Sequence, residues 1–398
     1  MNQQLKQIPF TPLKFLASLG AGGIAVMPFV LFQYTVPHGK GLITWAQMGH
    51  GTLPFHKELL FGLAEIVMIG FALLHLVLTV RYLKQLISWM RSEEYRPFIE
   101  DPLKNAAVLA PFVSIGMTFN VFIGVVRFFV PALSENFQAL MFPALISWGI
   151  LWAALLRMEI RLLGVSFSSS FDISRINFGW LLHPFALGMI TVSGTGIAAL
   201  SKSSDIAHTA AFMSAVTGTM GLFLLTVKTV TLFKSHFSAP GLPDKQFLPS
   251  LLIVVPNITL FAISGVRLVH YAEHHLSAHL HWVGQAIVVF AFAFEVWYMA
   301  FGIHMLRYYF RDHLFHSEFH VSQWGLICPF VAFAVLGSFF HRFFAPHTAT
   351  YIVIVATMIA AGAIYTLLAA KNLKCAAITK RNAGHDCSEN LVPKPINS

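Results

Sequence analysis

Five prolines constrain the fold of this chain more than any other feature. Pro28, Pro111, Pro184, Pro256 and Pro329 each lie in a different long apolar stretch, at steps of 83, 73, 72 and 73 residues. One further apolar stretch separates each consecutive pair. A proline inside an apolar helix removes a backbone hydrogen bond and bends the rod. In a membrane such bends are tolerated where the freed groups are buried in protein or line a cavity. A fixed period marks a structural repeat, here a helical hairpin with a kinked first helix. The expected fold is all-α and integral to a membrane. Ten transmembrane helices form five hairpins in a quasi-fivefold ring, with kinked odd-numbered helices lining a central pore and even-numbered ones outside.

The spans are expected near residues 12–36, 57–83, 104–126, 137–163, 177–200, 206–233, 247–270, 281–308, 321–343 and 347–370. Apolar runs of about 20 residues cross a bilayer as helices. Only 11% of residues are charged, against roughly 25% in soluble proteins. Residues 1–11 are expected to form a short cytoplasmic N-terminal segment, 12–370 the transmembrane domain and 371–398 a polar, disordered cytoplasmic tail. Met1 to Pro9 is polar and the first apolar run lacks a cleavage-site pattern, so no removed signal is expected. Cys328, Cys375 and Cys387 suggest no disulfide framework.

Basic residues orient the spans. With the N-terminus inside, 20 of the 26 Lys and Arg residues fall on the inner side. This bias places both termini in the cytoplasm of a plasma (bacterial inner) membrane. The net charge of +9 then reflects orientation and anionic lipid rather than nucleic acid. Five of the six outer basic residues, Lys40, Arg127, Lys202, Arg267 and Arg342, end the five proline-bearing stretches. Arranged in a ring, they form a mouth that concentrates anions; taken singly, each reads more commonly as an interfacial side chain reaching for water. Ser114, Thr118, Asn120, Ser193, Thr195, Asn257, Thr259 and Ser264 give the odd helices a weakly polar character. That suits either a hydroxyl-lined lumen or close helix packing. Carboxylates are confined to even helices, at Glu65, Glu159 and Glu295. Glu295, near mid-span, is a candidate proton carrier or a buried hydrogen-bonding group.

The histidines raise a second reading. His270, His274, His275 and His279 follow an i, i+4 pattern that puts pairs on one helix face and could ligate a transition metal. His270 and His341 follow neighbouring repeat prolines at the outer mouth, and His183 directly precedes Pro184, facing the inner vestibule. These three are candidate ligands for haem b in a membrane redox protein. No C-x-x-C-H, nucleotide-binding or zinc-protease motif accompanies them, and no enzyme of ordinary type is expected.

Several stretches together carry a resemblance. They are Leu19-Gly20-Ala21-Gly22-Gly23, Gly179-Trp180-Leu181-Leu182-His183-Pro184, Leu248-Pro249-Ser250 and Trp324-x-x-x-Cys328-Pro329. In this order and spacing the chain resembles the tellurite-resistance/dicarboxylate transporter family, which includes the plant slow-type anion channels. The resemblance covers about residues 10–370. It implies a pore through each protomer, commonly in a homotrimer, for small anions such as chloride, nitrate, sulfite or dicarboxylates, with no cofactor required. It also implies a gating phenylalanine just before the proline of span nine. That position is Cys328 here. Phe330, two residues on, is turned by about 200° around the helix. The constriction is expected near Cys328, Pro329 and Phe330.

Overall fold

The computed structural model describes residues 10–238, 243–315 and 319–381, with side chains up to residue 377. Ten helices are long and apolar enough to cross a membrane. They are α1 (Pro12–Thr35), α2 (Phe55–Met90), α3 (Asn105–Phe129), α4 (Phe137–Ser168) and α5 (Phe178–Leu200). They continue with α6 (Ser204–Ser238), α7 (Leu248–His275), α8 (His281–Met305), α9 (Val321–Phe343) and α10 (Thr348–Ala377). No strand occurs among the described residues.

Burial separates the ten into two classes. In the apolar centre of each odd helix, 56% to 100% of residues are buried; in each even helix the share is 22% to 39%. The odd helices pack in sequence, α1 on α3, α3 on α5, α5 on α7 and α7 on α9, and α9 returns to α1. The even helices cover them and turn outward the large apolar side chains that lipid requires, Ile66, Ile150, Phe223, Phe290 and Ile359 among them. Small residues permit this closeness. A Cβ on Gly22 of α1 would come within 2.6 Å of Met117 on α3 and 2.8 Å of His75 on α2. His75 ties the same three helices together: its Nδ1–H donates to the Ser18 carbonyl (2.7 Å), so its Nε2 accepts from Thr118 (2.9 Å).

The prolines do something other than expected. Each odd helix enters through a 3-10 turn, Pro12–Lys14, Asn105–Leu109, Phe178–Leu181, Leu248–Ile253 or Val321–Leu326, before the α-helix proper begins. Pro111, Pro184, Pro256 and Pro329 are the second or third residues of those α-helical parts. These four prolines therefore mark the junction where each 3-10 turn passes into α-helix, a first-turn position that suits a residue with fixed φ and no N–H. Pro28 alone of the five lies well inside its helix. The repeat is therefore better measured from the α-helical starts at Phe15, Ala110, Leu182, Val254 and Ile327, three of whose steps are 72 or 73 residues. The first step is 95, because the first hairpin carries a long outer strap between α1 and α2 and a connector containing the short helix Tyr95–Glu100.

The helix of α10 continues to Arg381, past the expected boundary at residue 370. Buried Lys371 fastens it, donating to the carbonyls of His313 (3.3 Å) and Leu314 (3.1 Å). The remainder of the expected tail, with Cys387, lies outside the described residues, as do residues 1–9.

Candidate functional site

The five odd helices enclose a cavity of ≈ 150 Å³. Its wall is built from a repeated stripe. α7 contributes Pro256, Leu260, Ile263 and Arg267, and α9 contributes Cys328, Ala332, Val335 and Phe339, both at i, i+4, i+7 and i+11. α5 supplies Phe185, Met189 and Val192 in the same rhythm, α1 supplies Leu19, Gly23, Val26 and Val30, and α3 supplies Met117 and Asn120. This spacing keeps one face of a 3.6-residue helix toward a common axis.

The wall is apolar except at a few points. Asn120, Thr259, Gln33, Tyr34 and Arg267 face the cavity. Most of the weakly polar residues expected there serve packing instead. Ser193 donates to the Met189 carbonyl (3.0 Å) and Ser264 to that of Leu260 (2.7 Å), while Ser18, Thr79 and Ser114 bond one another between α1, α2 and α3. Of that set only Asn120 and Thr259 line the cavity.

The five outer cations separate as sharply. Arg267 points into the cavity and donates through one Nη to the Val192 carbonyl at 2.5 Å. No carboxylate pairs with it among the described residues. Gly196 leaves the space beside it: a Cβ there would stand 3.2 Å from the guanidinium. Tyr34 lies within the electrostatic reach of both Arg267 and Arg342, the latter exposed at the end of α9. Lys40 and Lys202 are exposed on outer loops. Arg127 is buried away from the cavity wall. It donates to the carbonyls of Ile123 (2.9 Å), Leu42 (3.4 Å) and Ile43 (2.6 Å) and to the Ser134 hydroxyl (3.3 Å). A π-helical turn at Phe122–Val126 precedes it and changes the helical register, so Arg127 does not continue the Met117–Asn120 face.

At the other end of the cavity the stripes finish on Leu19, Phe185, Pro256 and Cys328. Cys328 thus faces the cavity, whereas Phe330 is half-buried against the surrounding core. Phe185 is the aromatic side chain at this end, and the sequence reading did not single it out. Its signal was available: it follows Pro184 directly and opens the same stripe that Pro256 and Cys328 open.

The candidate ligand histidines do not converge on one site. His183 is wholly buried and turns from the cavity toward α4 and α6, where its Nδ1 lies 2.6 Å from Glu159 Oε2. Lys228 of α6 joins this group, its Nζ 3.9 Å above the Trp180 ring. His275 donates to the Ser201 carbonyl (3.1 Å), and His341 bonds Thr350 (2.8 Å). His274 and His279 are exposed and His270 is half-buried. No group of three His, Cys, Asp or Glu with metal-holding geometry occurs among the described residues.

A family model described as a voltage-dependent anion channel, SLAC1, matches residues 9–372. The chain belongs to this family. The match runs through all ten helices, so the function it implies, an anion channel or transporter in a membrane, applies to the whole bundle. No curated protein matches the sequence.

Proposed function

We propose that the protein carries small anions through the central cavity of each protomer, with Arg267 as the site where the anion dwells. One observation carries this reading. A guanidinium held inside an apolar wall, with no carboxylate partner among the described residues, is costly unless a counter-ion visits, and the cavity leaves room for one. Exposed Lys40, Lys202 and Arg342 raise the local anion concentration outside. Arg267, with Tyr34, Gln33 and Asn120 nearby, replaces part of the hydration shell. The apolar stripe below offers little further binding, as rapid release requires. Phe185 and Cys328 form the inner constriction. The substrates in view are chloride, nitrate, sulfite and small dicarboxylates.

The distribution of basic residues supports cytoplasmic termini and a plasma membrane location. The family resemblance supports a homotrimer. Proteoliposome flux tests the central claim: Arg267→Gln should lower chloride and nitrate flux about tenfold or more, equivalent to losing roughly 1.4 kcal/mol of anion stabilisation. Wild-type flux in a well-folded variant would overturn it.

A further inference from the structure

Glu295 sits on α8, wholly buried, and its carboxyl crosses to α7 to meet the Thr259 hydroxyl, a group of the cavity wall. The single hydroxyl hydrogen of Thr259 has two acceptors within reach. Thr259 Oγ1 carries one hydrogen and also lies 3.3 Å from the carbonyl of Val255, which can only accept. That one hydrogen either goes to Glu295 Oε1 or to the Val255 carbonyl; in the second arrangement the Thr259 oxygen accepts from a protonated Glu295, so the hydroxyl can serve both states of the carboxyl. The second oxygen, Oε2, has no hydrogen-bond partner among the described residues.

Among the described residues no countercharge compensates for an ionised carboxylate here. On α7 the charged and titratable groups are Arg267, His270, Tyr271, Glu273, His274 and His275, all toward its outer end. On α9 they are Cys328, His341 and Arg342, and the Leu248–Ile253 turn has none. On α8 itself Tyr298 donates to the Leu251 carbonyl (3.2 Å), and His281 and His304 lie at its two ends. None of these is hydrogen-bonded or ion-paired to Glu295 among the described residues. A carboxylate buried without a countercharge is costly, and contact with a cavity hydroxyl gives a proton held on Glu295 a way out. Thr259, Ile263 and Arg267 share one face of α7, so proton site and anion site open on the same space.

We propose that Glu295 is a proton-binding site that exchanges with the cavity through Thr259, so that anion passage is accompanied by a proton. The proposal rests on the anion-path reading and extends it from passive conduction to proton-linked transport. In the step, the Glu295 O–H bond breaks as its proton passes to Thr259 Oγ1. The original Thr259 proton passes to a water or to the anion in the cavity. One O–H bond forms for each that breaks, and the reverse transfer restores the acid.

The test uses full-length protein in liposomes containing a pH-sensitive dye, with membrane voltage clamped by potassium and valinomycin. Nitrate is the probe, since it carries no proton of its own near neutral pH. An inward nitrate gradient should acidify the lumen of wild-type vesicles. The protons moved per nitrate should fall to background in Glu295→Gln and in Thr259→Val, and Thr259→Ser should retain coupling. Nitrate flux without proton movement in the wild type would overturn the proposal, as would full coupling in both disabling variants. Absence of nitrate flux in the wild type, read separately with a nitrate electrode, would instead remove the anion-path reading beneath it. If Glu295→Gln fails to fold, the contrast between Thr259→Val and Thr259→Ser decides.

Discussion

The outer ends of α3 and α7 look alike in sequence and do opposite things. Arg127 follows Asn120 by seven residues and Arg267 follows Leu260 by seven, and both of those earlier residues line the cavity. Seven residues is nearly two full turns of α-helix, so each arginine should share its predecessor's face. On α7 the helix is regular and Arg267 stays on the wall. On α3 the π-helical turn at Phe122–Val126 intervenes, and Arg127 is carried into the strap between α1 and α2. A cation at the end of a pore-facing stripe is therefore no guarantee of a pore-facing cation. What separates the two is how their hydrogen-bond donors are satisfied: Arg127 meets four oxygens, and Arg267 meets one carbonyl and an open cavity.

This difference makes the largest prediction. Arg127→Met should lower thermal stability strongly, by about 3 kcal/mol or more, because it strips a donor from several buried acceptors at once. Arg267→Met should leave stability unchanged or raise it, since it removes a half-buried charge that has no carboxylate partner among the described residues, while abolishing most anion flux. Unfolding midpoints in detergent, read beside liposome flux for both variants, check the pair. A destabilised Arg267→Met with normal flux per folded protein would reverse the assignments.

The same contrast explains what could be read from residues alone. The ten spans were legible because each needs only a long apolar run, and lipid leaves such a run few alternatives. The repeat was legible through its prolines, but their role was not. A proline at a 3-10 to α junction and one within a helix have the same local sequence context, and only the backbone shows which is present. Cys328 was expected at the constriction through the family resemblance, and it lines the cavity. His183 was not placed correctly: its neighbour Pro184 gives the height along α5, while its ring is turned toward the Glu159 carboxylate on α4. The fate of Arg127 depended on a π turn for which Phe122–Val126 carries no recognisable signal. Phe185 could have been found by extending the i, i+4, i+7, i+11 stripe across repeats.

A second prediction sharpens the comparison from the opposite end. If the anion held at Arg267 leaves between Phe185 and Cys328, then adding bulk to that exit should slow it. Cys328→Phe should reduce flux several-fold without the stability loss expected of Arg127→Met, and Phe185→Ala should raise flux. The check is initial flux rate per folded protomer. Unaltered rates in both variants would move the constriction away from this level and leave Arg267 without the exit assigned to it.

The smallest effect concerns the strap that Arg127 anchors. Gly41, Gly49 and Gly51, with φ of 101°, 73° and 80°, give the strap backbone turns that other residues rarely adopt. Gln33 and Arg127 hold its first half, near Leu42, which itself faces the cavity. The second half is held by His50, whose ring nitrogens lie 2.9 Å from Glu58 and 2.8 Å from Glu65. Partial burial works against a charge on His50, but hydrogen bonds and attraction from the two carboxylates outweigh it and raise its pKa above 6.5. A raised folded-state value means that the stabilisation is full below the unfolded value and is lost as pH rises through the folded one. Once neutral, His50 can donate to only one carboxylate, and Glu58 and Glu65 lose the charge between them. Amide hydrogen exchange in residues 41–52, corrected for its intrinsic pH dependence, should therefore be slower at about pH 5.5 than at about pH 8.5. His50→Gln should erase the difference. Because Arg127 and Gln33 still hold the other half, flux should change far less than in Arg267→Gln; a comparable loss would mean that the strap, and not the guanidinium in the cavity, limits anion passage.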